Sequence, residues 1–272
     1  MIGVFDSGFG GLTILREMMH TLPEYDYLYL GDNARAPYGT RSFECVYQFT
    51  LQAVKYLFSQ GCPLVILACN TASAKALRSI QQLDLPAIDP TRRVLGVIRP
   101  TVEKVGSMTR SGNIGIFGTP GTIASGSYDM EISKLYTDFR LYGQACPMWV
   151  PIVEYEETDT PGAEYFVRRD VDRLFSKCPN IDTVILGCTH YPLLYDKIRA
   201  AVPPHVSIIS QGEIVADSLK DYLRRHPEME SRLTRRSTVE FLTTEQPEKF
   251  DGLASVFMRQ NIKSKHIDLS AN

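Results

Sequence analysis

Two short segments of this chain carry one pattern, Val65-Ile-Leu-Ala-Cys69-Asn-Thr71 and Val184-Ile-Leu-Gly-Cys188-Thr-His190. Each is an apolar, β-branched run that stops at a cysteine followed by a small polar residue, which reads as a buried strand delivering a thiol to its carboxyl end. In an open α/β sheet that end is where ligands bind, and the helix N-terminus just beyond it favours negative charge, a thiolate included. If the two runs come from similar lobes that face each other, their sulfurs approach one substrate from opposite sides. That is the geometry for moving a proton from one face of a carbon to the other. A single cysteine at a strand end is more often packing than chemistry, and Cys45, Cys62, Cys146 and Cys178 keep that reading.

The elements that must position the two thiols follow from periodicity and punctuation. Ile2 to Phe5 forms an apolar strand, Asp6-Ser7-Gly8-Phe9-Gly10-Gly11 a glycine turn, and Leu12 to Met19 a helix. Tyr25 to Leu30 alternates as a strand, so its three tyrosines read as one sheet face rather than a stacking platform for bases. Ala36-Pro37-Tyr38-Gly39 is a loop, residues 42 to 60 an amphipathic helix, Leu64 to Leu67 a strand ending in Cys69, and Ala72 to Gln82 a helix. A second cycle starts near Val94. Its Ile114-Gly-Ile-Phe117 matches Ile2-Gly-Val-Phe5, followed by a helix over 122 to 135 and an extended stretch through Cys146 to Pro151. Then come a helix near 161 to 176, the strand 182 to 187 ending in Cys188, and a helix from about Leu193 to Ala201. Val206 to Ser210 and Thr238 to Thr243 read as strands, Ile214 to Arg225 as a helix, and His226 to Ser237 as the most exposed segment.

Alternating strands and helices predict parallel sheets covered on both faces. The expected fold is α/β, two pseudo-symmetric lobes with the active site in the cleft between them. The first lobe is expected over 1–92 plus 210–272 and the second over 93–209, because the first is short by itself and the tail must return to it.

At 272 residues the chain buries a core without disulfide or metal staples. Hydrophobic residues at 44%, charged residues at 22% and a formal net charge of -2 describe an ordinary globular protein and point to neither nucleic acid nor membrane. The beginning of the chain has no basic segment followed by an apolar one, and no stretch approaches the roughly 18 apolar residues that span a bilayer. A cytoplasmic protein with six free thiols is the expectation. No C-x-x-C, zinc-ligand spacing, phosphate loop or complete dinucleotide fingerprint occurs, and no lysine stands in a context that argues for pyridoxal phosphate, so neither metal nor cofactor is expected.

Five segments together resemble the glutamate racemases of the aspartate/glutamate racemase superfamily. They are Gly3 to Thr13, Tyr29 to Arg41, Ala68 to Ala74, Val150 to Glu154 and Gly187 to Leu194, within a similarity that runs from residue 2 to about 220. The resemblance implies cofactor-independent interconversion of L-glutamate and D-glutamate, supply of D-glutamate for peptidoglycan, and a homodimer. It implies that Cys69 and Cys188 are the paired acid and base. Asp6, Ser7, Tyr38, Gly39, Asn70, Thr71, Thr189 and His190 would bind or orient substrate, with Thr119 and Thr122 nearby. One sulfur must start ionised and the other protonated, and Asp6 near Cys69 and His190 or Glu154 near Cys188 are the candidates for that tuning. Asp6 is equally readable as a turn or cap residue, and His190 as the cap of the helix that follows.

Two positions depart from the family pattern. Arg99 stands where an acidic residue is usual, and Ser210-Gln211-Gly212-Glu213 replaces an Asp-Ser-Gly-like run. An aspartate racemase, a binding protein that has lost catalysis, and a thiol–disulfide enzyme are the competing readings. The strand-end placement of the cysteines does not resemble a redox motif.

Overall fold

A computed structural model describes residues 1–269. Among the described residues, ten strands form two wholly parallel sheets. In chain order they are β1 (Ile2–Asp6), β2 (Tyr27–Gly31), β3 (Leu64–Leu67), β4 (Arg93–Gly96), β5 (Asn113–Gly118), β6 (Arg140–Ala145), β7 (Thr183–Gly187), β8 (Ser207–Ile209), β9 (Val239–Thr243) and β10 (Ser264–His266). The first sheet runs β10-β9-β2-β1-β3-β4 and the second β6-β5-β7-β8.

The order β2-β1-β3-β4 is therefore repeated as β6-β5-β7-β8, with β3 and β7, the strands that lead to the two cysteines, in equivalent places. Every residue of β1, β2, β3 and β7 is buried, as expected where helices cover both faces of a parallel sheet. The tyrosines around β2 lie in the core: the Tyr27 hydroxyl donates to the Leu22 carbonyl at 2.9 Å and that of Tyr29 to the Gly8 carbonyl at 2.9 Å.

The repeat extends to a glycine inside each central strand. A methyl group at Gly3 would sit 3.1 Å from Val65 and 3.3 Å from Leu57, and one at Gly115 would sit 2.8 Å from Leu174 and 3.2 Å from Val184. Leu57 and Leu174 come from the two 17-residue helices, Phe43–Ser59 and Pro161–Lys177, that press on their sheets at this point. Each starts at a hydroxyl cap, Ser42 accepting from the Cys45 N–H and Thr160 from that of Ala163.

Several elements differ from the sequence expectation, among them the helix expected over Ala72 to Gln82, which is broken after Lys75 and continues through a π-helical turn at Ile80–Asp84. Arg93–Gly96, placed in the second lobe by a division at 92/93, pairs with β3 at the edge of the first sheet. It is a short, half-exposed edge strand whose apolar signal is correspondingly weak. The stretch after Cys146 is not extended throughout: Trp149–Glu154 is a helix. Pro151 falls in its first turn, where no intrahelical N–H is required, and Trp149 is driven inward against Phe117 and Tyr191, with ring centroids 4.9 and 4.8 Å away. The helix expected over 122 to 135 is two helices, Pro120–Ala124 and Ser127–Leu135, hinged at Gly126 with φ +64°. Within 226–237, Met229 and Leu233 are buried although most of the segment is exposed.

The strands β9 and β10 belong to the first sheet. Strand β9 pairs with β2, and the helix Pro247–Met258 stacks Phe250 on Phe9 of the glycine turn, 5.3 Å between centroids. The helix Gly212–Arg225 packs on both Leu12–Thr21 and Ile98–Val105 and so lies between the lobes. Among the described residues no helix is long and apolar enough to cross a membrane.

The close helix approach at the two glycines yields a test. Gly115→Ala is expected to destabilise the fold by about 1–3 kcal/mol through overpacking, and Gly3→Ala by less because its neighbours are further away. Urea unfolding of both variants checks the order; equal stability of Gly115→Ala and the wild type would show that Leu174 yields freely.

Candidate active site

Both thiols stand where their strands stop. Cys69 is the N-cap of the helix Asn70–Lys75, its Sγ accepting from the Ala72 N–H at 3.4 Å and lying 3.4 Å from the Ser7 hydroxyl. The helix forms here because the cysteine leaves the strand in extended conformation and its sulfur satisfies one of the free N–H groups of the first turn. Cys188 lies 3.8 Å from Nδ1 of His190, whose Nε2 is 2.9 Å from Oε1 of Glu154. Each cysteine is 6% exposed, so both sulfurs are nearly enclosed, and each lies within range of the other's charge.

The two lobes meet around these sulfurs. A methyl group at Gly10 would lie 2.2 Å from Thr189 Oγ1 and 2.5 Å from His190 Nδ1, so only glycine allows the turn after β1 to press against the segment after β7. The Thr13 hydroxyl reaches the Thr189 carbonyl at 3.1 Å. On the other side, the Gly121 N–H donates to the Gly39 carbonyl at 2.7 Å. There the hydroxyls of Thr71, Thr119 and Thr122 form a triangle with edges of 3.0, 3.1 and 3.2 Å. Thr119 also caps the helix Pro120–Ala124.

The two thiols have different polar neighbours, a carboxyl beside Cys69 and an imidazole beside Cys188. Burial pushes the Cys69 thiol up to about 12, and the neighbouring Asp6 acts in the same direction against the hydrogen bonds from Ser7 and Ala72. Burial also raises the Asp6 carboxyl, opposed by the charge of His190 and the Gly8 N–H, which donates to Oδ2 at 2.8 Å. Asp6 Oδ1 is buried without a hydrogen-bond partner. Burial disfavours a charged His190, but its contacts with Cys188 and Glu154 outweigh that and raise its pKa from 6.5 to about 10. A protonated imidazole therefore sits beside the Cys188 sulfur, and a buried carboxyl group beside Cys69.

Asp6, Ser7, Gly39, Cys69, Asn70, Thr71, Thr119, Thr122, Glu154, Cys188, Thr189 and His190 are thus brought together from both lobes. Tyr38 is the exception in its side chain. Its hydroxyl donates to Asp32 Oδ2, and its ring packs between Phe5 and Phe49, so only the backbone of the 38–39 segment faces the seam. Cys45, Cys62, Cys146 and Cys178 are free thiols; of these, Cys146 is buried within range of the Cys188 charge.

Two groups of contacts carried no sequence signal. Phe257 packs edge-on against His190, centroids 5.5 Å apart, from a tail without motifs. Gln211 and Tyr128 bond the Asn70 side chain, and Thr101 bonds Gln211 from behind. Cys188 also borders a cavity of about 400 Å³ with Thr13, Glu17, Lys104 and Gln211. Cys69 does not line it, so it is a recess behind the second thiol.

Two pseudo-equivalent α/β lobes enclosing a pair of thiols define a class, and the match is direct: residues 3–219 fit the Asp/Glu/Hydantoin racemase model, and the chain belongs to that family. Among its relatives, the glutamate racemase of Ruegeria pomeroyi is 42% identical over 96% of this chain and 97% of its own. The crystal structure of a glutamate racemase from Bacillus anthracis superposes with a TM-score of 0.89 at 35% identity, covering 99% of this chain and 97% of that one. That of Francisella tularensis, in complex with D-glutamate, superposes with a TM-score of 0.88 at 31% identity, covering 100% and 98%.

The histidine gives a pH test. The folded protein keeps a proton on His190 that an unfolded chain releases above its pKa of 6.5, so this contribution to stability is complete below that pH and is lost as pH rises towards 10. Cys69 and Cys62 add losses only above their ordinary value of 9.0, whereas the Met1 amino group, lowered from 8.0 by burial, adds stability as pH rises, so the difference between the wild type and His190→Gln isolates the histidine. Urea unfolding at pH 6, 7.5 and 9 is expected to show a decline in the wild type that is shallower in His190→Gln; parallel declines would mean that the imidazole is neutral.

Proposed function

We propose that this protein interconverts L-glutamate and D-glutamate, with Cys69 and Cys188 as the acid/base pair and no cofactor. The observation that carries the reading is the placement of two enclosed thiols at equivalent strand ends of facing lobes, each beside a different ionisable partner. The glutamate specificity rests on the family and on relatives that are glutamate racemases over nearly the full chain.

In this reading one cysteine, as thiolate, takes the α-proton and becomes a thiol. The other, as thiol, gives its proton to the opposite face of the same carbon and becomes the thiolate. The protein returns to its resting charge when the two sulfurs exchange their proton states. Asp6 serves as the polar partner of Cys69, and the Glu154–His190 pair as that of Cys188, the imidazolium favouring the ionised sulfur. Helix N-terminal N–H groups and the hydroxyls of Ser7, Thr71, Thr119, Thr122 and Thr189 hold the substrate carboxylates, with Gly39 and Asn70 at their side. Donors aimed at the α-carboxylate stabilise the charge that builds as the proton leaves. We place the product in peptidoglycan synthesis and the enzyme in the cytoplasm as a homodimer, without nucleic acid or membrane partners.

The test is incubation of L-glutamate in D2O without added cofactor. The wild type is expected to lose optical rotation and gain α-deuterium together. Cys69→Ser and Cys188→Ser should each lose about 10²–10⁴-fold in rate, the usual worth of a general acid or base. Racemisation that survives both substitutions or requires pyridoxal phosphate would sink the mechanism, and turnover of aspartate in preference to glutamate would move the substrate assignment.

A further inference from the structure

Immediately after β8, the Gln211 side chain is 2% exposed and reaches into the interface between the lobes. Its Oε1 accepts from Asn70 Nδ2 at 2.6 Å, and its Nε2 donates to Thr101 Oγ1 at 2.8 Å and to the Tyr128 hydroxyl at 2.9 Å. The Tyr128 hydroxyl donates to Asn70 Oδ1 at 2.7 Å, and the Thr101 hydroxyl donates to the Val97 carbonyl at 2.7 Å. Asn70, Thr101 and Tyr128 are as deeply buried as Gln211.

These bonds have a direction that chemistry dictates. A backbone carbonyl only accepts, so Thr101 spends its single proton on Val97 and must accept from Gln211. The Gln211 nitrogen therefore faces Thr101 and Tyr128, and its oxygen faces Asn70. The Asn70 nitrogen must then face Gln211, and its oxygen faces the Tyr128 proton. Reversing either amide would set donor against donor and acceptor against acceptor in a site closed to water, at the cost of several buried hydrogen bonds. One Nδ2 hydrogen of Asn70 is left over, on the residue that stands between Cys69 and Thr71 in the chain.

We propose that Gln211 is a positioning residue: through Thr101 and Tyr128 it locks the Asn70 amide so that this spare N–H is presented to a carboxylate of the amino-acid substrate. The proposal rests on the racemase reading above. It assigns a task to the Ser210-Gln211-Gly212 run, where the sequence leaves the family pattern, and ties the orientation of a residue in the first lobe to segments on the other side of the interface.

Steady-state kinetics in both directions test it, on the full chain, with wild type, Gln211→Met, Tyr128→Phe, Asn70→Ala and the Asn70→Ala/Gln211→Met double variant. Gln211→Met keeps the volume and loses all three bonds. It is expected to raise KM for glutamate about tenfold, the worth of a hydrogen bond to a charged group, with kcat changed less than about threefold. In the Asn70→Ala background the same change should add less than about twofold, because the residue it orients is gone. An unchanged KM in Gln211→Met, or an undiminished effect in the Asn70→Ala background, overturns the proposal. If Gln211→Met does not fold, Tyr128→Phe decides: a KM raised about threefold supports the lock, and an unchanged one overturns it. A wild type that racemises neither enantiomer of glutamate overturns the racemase reading and this proposal with it, whereas an active wild type with an indifferent Gln211 overturns this proposal alone.

Discussion

The contact between the glycine turn after β1 and the segment after β7 governs the rest of the architecture. At Gly10 there is no room for a single methyl group before Thr189 and His190 are struck, so the lobes touch through backbone on one side and a threonine and a histidine on the other. Everything around that point holds the approach in place. Tyr29 anchors the Gly8 carbonyl from beneath, Phe250 and Phe257 cover Phe9 from the tail, and Thr13 bonds across to Thr189. Because packed interiors do not deform gradually, such a contact sets the separation of the two strand ends rather than merely permitting it.

Symmetry of backbone and asymmetry of charge are combined here. The repeated strand order delivers both cysteines by the same route, yet Cys69 meets a carboxyl, a hydroxyl and a helix N-terminus, while Cys188 meets an imidazolium backed by Glu154. Two identical functional groups acquire different proton affinities only if their surroundings differ, and burial magnifies each difference by removing the water that would screen it.

Much of this was legible in the chain itself because the informative features are local. The runs before Cys69 and Cys188 are short, β-branched and bounded, and β3 and β7 begin and end within a residue of where periodicity puts them. The glycine turn, the loop at Ala36-Pro37 and the two long helices are likewise written in punctuation and period. What escaped depends on distant partners. Trp149–Glu154 is helical because Trp149 finds Phe117 and Tyr191, and Arg93–Gly96 is a strand because β3 offers an open edge. The Tyr38 hydroxyl turns to Asp32, and Gln211 matters only through three residues far away in sequence. No spacing rule encodes such meetings; they exist once the sheets have formed.

The order in which the strands leave the ribosome adds one consequence. The second sheet draws on a continuous stretch, from Asn113 to Ile209, whereas the first takes the two strands of one edge from Val239–Thr243 and Ser264–His266. During synthesis the later-numbered half of the site can be complete while the earlier-numbered half still lacks the strands and aromatic cover that only the last part of the chain supplies. The nascent polypeptide therefore carries both sulfurs well before it owns the enclosure that pairs them, and a truncated product would hold two unguarded thiols instead of an enzyme.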